Sequence, residues 1–233
     1  MSELMLFGKT HLMILAAIPS TAAVVAGLCR ARPASEGTVS RASGLLLAAN
    51  EIGWYVYRLR TEGLRFPEGL PLNLCDLALW LTVAAALSRS VPLFEAAYFT
   101  GLGGSSMALL TPDLWAPLLS YPTIYFFLAH GGVVVTLLVL LWTGQCRPRP
   151  GCQWRVFALL NAYVVVIAAF NAFFGVNYVY LCRKPANASP LDYLGPWPWY
   201  ILAAEGIALL LFWLLALPFG ARPGGEQRLT AAD

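Results

Sequence analysis

Residues 121–142 read YPTIYFFLAHGGVVVTLLVLLW, a run free of Asp, Glu, Lys and Arg whose one histidine is His130. A membrane-spanning helix needs about 20 consecutive apolar residues, and this stretch supplies them. An imidazole at that depth is costly unless it is paired or does work. The chain holds two histidines. The other, His11, falls at the edge of an apolar segment, where water is expected to reach it.

The rest of the chain follows the same pattern. Apolar residues make up 59% of the 233 positions and charged residues only 12%, with a mean hydropathy of +0.66. A soluble domain carries about 25% charged residues, so the composition indicates an all-α integral membrane protein. Eight Trp and ten Tyr cluster at segment ends, as interfacial belts do. The formal charge of +3 lies in short loops, which reads as topology information and not as a nucleic-acid surface. The first apolar run passes into a basic loop without a small-residue cleavage site, so no cleavable signal is expected.

Seven apolar segments are predicted, over approximately 11–29, 43–60, 71–88, 92–110, 122–142, 154–175 and 197–217. They form a polytopic bundle of about seven transmembrane helices, read as one integral membrane domain over 1–233. Loops RARP (30–33), TPDL (111–114), RPRPG (147–151) and KPANASP (184–190) punctuate them. The third segment is short, which leaves six spans as the alternative. Arg30, Arg32, Arg41, Arg89, Arg147, Arg149, Arg155, Arg222 and Arg228 lie on one side. Lys9, Arg58, Arg60, Arg65, Arg183 and Lys184 lie on the other. That bias places the N-terminus outside and the C-terminus in the cytoplasm.

Parity then sorts the polar residues. Segment three begins on the face where segment two ends, and segments five and seven do the same relative to four and six. One face therefore collects Asn73, Cys75 and Asp76, the TPDL turn, His130, Asn171, Asn177, Tyr178 and the Trp-rich start of segment seven at Trp197. Asn73 and Asp76 are spaced as an N-cap and its N3 partner. That sets Cys75 in a first helical turn, where free N–H groups favour a thiolate and the Asp76 charge opposes it. Alternatively, Cys75 is a small apolar side chain. His130 is either a general base for Cys75 and later a general acid for the leaving group, or an interhelical hydrogen-bonding group. Asn171 and Asn177, with Tyr178, are candidates to orient His130 or to donate to an oxyanion.

Glu51 and Glu205 are candidate proton-relay groups. GLGGS at 101–105 reads as a helix-packing patch, since no strand precedes it and the Lys-Ser/Thr of a phosphate loop is missing. The five cysteines form no CxxC pair and no cluster with histidine, so a zinc site is not expected. A Cys75–Cys182 disulfide is the competing use of those two thiols.

LPLNLC (70–75), TPDL (111–114), FFLAHGG (126–132), NYVYL (177–181) and LDYLGPWPWY (191–200) occur in order. Together they resemble the YwaF family of bacterial membrane proteins, itself similar to eukaryotic transmembrane protein 164. The resemblance covers roughly 70 to 217. It implies an acyltransferase that moves a fatty acyl chain between phospholipids, with Cys75 and His130 as the catalytic pair, and a bacterial cytoplasmic membrane as its location. It is more distantly similar to the androgen-induced and ADTRP-type lipid hydrolases, which pair threonine with histidine. The cysteine here favours the acyltransferase branch. Phospholipid and lysophospholipid are then the expected partners. With lipids as both substrates, neither another metal nor a cofactor is expected. The alternatives are a hydrolase built on the same site, a proton-linked small-solute transporter using His130, Glu51 and Glu205, and a lipid-binding protein without turnover.

Overall fold

A computed structural model describes residues 5–185 and 189–220. Arg222, Arg228 and residues 186–188 of the KPANASP stretch lie outside the described residues. Among the described residues the chain is all-α, with seven helices and no strand. They are α1 (Lys9–Ala31), α2 (Glu36–Glu62), α3 (Leu74–Ser88), α4 (Val91–Leu110), α5 (Tyr121–Trp142), α6 (Cys152–Phe174) and α7 (Trp199–Ala216). Each follows its apolar run to within a few residues, except that α2 extends seven residues further toward its N-terminus, to Glu36.

Length and apolarity suffice for a crossing in α1, α5, α6 and the run Trp199–Phe219. The chain is an integral membrane protein. At 1.5 Å per residue, the 15 residues of α3 span only about 22 Å, less than the ~30 Å hydrocarbon thickness. This helix packs between α2, α4 and α5, so its length need not match the lipid. Its cap and first turn, Asn73, Cys75 and Asp76, line a cavity.

The helices run alternately up and down, and contacts at each end fix the order. At one end the His11 imidazole of α1 meets the Leu109 carbonyl of α4 at 2.8 Å. At the other, Arg30 of α1 donates to the Trp142 carbonyl of α5 at 2.5 Å. The core of α2 to α5 is apolar and closely packed, around Phe94, Phe99, Leu137 and Leu140. A Cβ on Gly101 would stand 2.8 Å from Leu137 Cδ1 and 2.9 Å from Val133 Cγ1, so α4 and α5 approach closely there.

Two findings correct the expectations drawn from the sequence. His11 is wholly buried. Its Nδ1 accepts the Phe7 N–H at 3.0 Å, and Nε2 donates to Leu109. The end of α4 covers it. Glu95, passed over in the sequence, is equally buried. Its carboxylate receives Arg149 Nε at 2.7 Å, Arg149 Nη2 at 2.8 Å and the Arg149 N–H at 3.0 Å, together with Arg155. A bidentate guanidinium and a second arginine satisfy a charge that would otherwise be costly in the bundle.

Candidate active site

The cavity opens at the end of the bundle where α2 finishes, α3 begins, α4 finishes and α5 begins. Its volume is about 370 Å³. Cys75 and His130 both line it, with Asn73 and Asp76. Helix parity alone puts these four on one face, and the fold brings them to one space.

Local chemistry fixes Cys75. Asn73 is extended (φ −77°, ψ 160°) and caps α3. Its own N–H donates to Asp76 Oδ2 at 2.9 Å, the return arm of a capping box. Cys75 is thus the second residue of the helix, and its side chain is exposed, facing the cavity. The cap itself is tied down: the Tyr163 hydroxyl donates to the Leu72 carbonyl at 2.8 Å, and the Val179 N–H reaches Asn73 Oδ1 at 3.4 Å. Cys75 and Cys182 are both free thiols, so the disulfide alternative does not occur.

His130 is half-buried. The Phe126 ring, one turn earlier on α5, lies against the imidazole with centroids 4.4 Å apart. Ser105 Oγ faces Nδ1 at 3.5 Å, the outer limit of a hydrogen bond. Ser105 and His130 both line the cavity.

One face of α2 completes the lining: Glu51, a candidate proton-relay group from the sequence, and Arg58, together with Trp54 and Tyr55, which the sequence did not single out. Their spacing (i, i+3, i+4, i+7) marks one helical face, and that periodicity was the available signal. Trp54 stacks on Tyr125 of α5 at 4.4 Å, and the Tyr125 hydroxyl donates to Glu51 Oε2 at 2.7 Å. Arg58 pairs with Glu62 at 3.2 Å. Glu51, Glu68, Asp76 and Asp113 face the cavity against Arg58, so the lining is acid-rich.

Asn171, Asn177, Tyr178 and Trp197 do not line the cavity. They build the α6–α7 connection. Asn171 accepts the Tyr178 N–H at 2.9 Å and donates to the Tyr178 carbonyl at 2.9 Å. Asn177 Oδ1 takes the N–H groups of Cys182 and Arg183, and Trp197 donates to the Leu181 carbonyl at 3.1 Å. The Tyr178 hydroxyl donates to the Pro67 carbonyl at 2.6 Å. The result of this bracing is Tyr180, which does reach the cavity wall. Burial, with Asp113 adding to it, raises the Tyr180 phenol above its ordinary value, which keeps it a neutral hydroxyl.

Glu205 is held elsewhere, by Asn161 at 3.1 Å. No group of three or more His, Cys, Asp or Glu side chains suited to a metal occurs among the described residues.

The sequence pattern of the TMEM164 family matches residues 6–216. The chain belongs to the TMEM164 family. The match takes in all seven helices and every cavity residue named above, and it agrees with the likeness to transmembrane protein 164 expected from the ordered motifs. Comparison with curated proteins and with solved structures gave no match. For this TMEM164-family chain, then, the geometry of the cavity carries the functional argument.

Proposed function

We propose that this protein is a membrane-embedded acyltransferase that moves a fatty acyl chain from a phospholipid to a lysophospholipid through Cys75 and His130. The observation that carries the reading is one cavity into which both an accessible thiol and a cavity-facing imidazole project. His130 takes the thiol proton, Cys75 attacks the donor ester, and the acyl chain rests on sulfur as a thioester. A lysolipid hydroxyl then accepts it. The position of Cys75 in the first turn of α3 places free backbone N–H groups beside the reacting carbonyl. Membership of the TMEM164 family supports the same reading.

The arginine bias supports a chain with its N-terminus outside and its C-terminus in the cytoplasm, with the cavity opening to the outer side, and the resemblance to the YwaF family supports a bacterial cytoplasmic membrane as the location. The transporter alternative is weakened, because Glu205 is bonded to Asn161 and does not line the cavity with His130 and Glu51.

The test incubates wild type and Cys75→Ser with a defined phospholipid and an isotopically labelled lysolipid, followed by mass spectrometry. Labelled diacyl product from wild type alone is the expected result. Free fatty acid as the sole product makes the protein a hydrolase. Inert, folded samples of both across a lipid panel overturn the enzyme reading.

A further inference from the structure

Glu51 lines the cavity and has no part in the Cys75–His130 step. It sits in the interior of α2 and is fully buried. Tyr125 donates to Oε2 at 2.7 Å, while Oε1 has no hydrogen-bond partner among the described residues. The Tyr55 hydroxyl stands close by and itself accepts the Trp80 indole N–H at 3.0 Å. A carboxyl oxygen buried without a partner is costly, and such an exception calls for a reason. The other acids differ: Asp76 is committed to the α3 cap, and Glu68 is exposed.

Phe126 covers one side of the His130 ring and Ser105 Oγ faces Nδ1 at 3.5 Å. A single imidazole suffices for both proton transfers in a Ser-His enzyme, but here a second acid, Glu51, stands at the cavity wall, positioned by Tyr125. One proton is handled at sulfur and one at the glycerol oxygen. We propose that Glu51 carries the second, as the general acid and base for the lysolipid oxygen, an inference that rests on the acyltransferase reading above.

The steps balance. In the first half, the Cys75 proton passes to His130 and the sulfur–carbon bond forms. The donor's ester C–O bond breaks, and Glu51 gives its proton to the departing oxygen, which leaves as a lysolipid hydroxyl. In the second half, the arriving hydroxyl oxygen attacks the thioester carbonyl and its proton goes to Glu51. The carbon–sulfur bond breaks and sulfur recovers its proton from His130. The second half is the reverse of the first with a different lipid, as microscopic reversibility requires. Tyr125 positions Glu51 throughout.

The discriminating experiment compares two acyl donors with wild type and Glu51→Gln. One is a phospholipid, whose alkoxide needs a proton to leave. The other is a p-nitrophenyl fatty ester, whose phenolate leaves without one. Acylation of Cys75 is read by mass spectrometry of the Cys75 peptide. Removing a general acid is expected to slow acylation from the phospholipid about 100-fold, the low end of such effects, and to leave the activated ester within about threefold of wild type.

Equal losses with both donors would make Glu51 a structural residue, and no loss with either would remove it from the chemistry; both overturn the proposal. Wild type left unacylated by either donor would instead overturn the acyltransferase reading beneath it. Should Glu51→Gln fail to fold, Tyr125→Phe carries the test in milder form, with a loss of about tenfold confined to the phospholipid donor. An equal loss with both donors overturns it there too.

Discussion

The His11 imidazole closes two helix ends at once, accepting the Phe7 N–H at 3.0 Å ahead of α1 and donating to the Leu109 carbonyl at 2.8 Å in the last turn of α4. Phe7 precedes α1 and is exposed, whereas the Leu109 carbonyl, in a helix end that lacks intrahelical partners, lies buried against the wholly buried imidazole. His11→Ala leaves that carbonyl unpaired at a cost of about 1–3 kcal/mol. A clear fall in melting temperature in detergent micelles is expected, with Cys75 acylation preserved in the folded fraction. A variant that melts like wild type but no longer turns over would move His11 from structure to chemistry.

Glycines in α4 make a sharper comparison, because neighbours on one helix are expected to respond in opposite directions. A methyl group on Gly101 meets Leu137 and Val133 inside 3 Å, whereas one on Gly104 meets nothing within 4 Å. Gly101→Ala therefore overpacks the α4–α5 contact and should destabilise by about 1–3 kcal/mol. Gly104→Ala carries no such clash and gains helix propensity worth up to about 1 kcal/mol. Thermal unfolding of the pair decides it, and a Gly101→Ala protein as stable as Gly104→Ala would refute the close approach.

Why some features were legible in the sequence and others were not follows from the solvent. Long apolar runs separated by Pro and Arg mark helices in any membrane protein, so all seven were visible. Parity needs only their number, so Cys75 and His130 could be assigned to one end of the bundle. The rotation of each helix about its axis is a different matter. When lipid and protein core are equally apolar, no amphipathic stripe reports which side faces inward. Asn171 and Asn177 were legible as polar residues near the right face, yet they turn toward the α6–α7 connection. On α2, where polar residues interrupt the run, the face Glu51–Trp54–Tyr55–Arg58 could have been read. Long-range pairs such as Glu95 with Arg149 and Arg155 leave no local pattern at all.

Orientation can be tested through the cysteines, since the fold divides them cleanly. Cys29, Cys146 and Cys152 are buried, whereas Cys75 and Cys182 are exposed. Cys182 lies in the connection after α6, on the side assigned to the exterior. In intact cells a membrane-impermeant maleimide should modify Cys182, and Cys182→Ser should abolish most of that signal. Labelling that appears only after lysis would reverse the orientation. A small neutral thiol reagent, able to enter the 370 Å³ cavity, should modify Cys75 as well. Lysolipid bound in that cavity shields Cys75 and leaves Cys182 reactive, because only the former faces the space the lipid fills. Equal protection of both thiols would mean that the lipid acts at the surface of the protein, and the cavity would lose its claim to be the site.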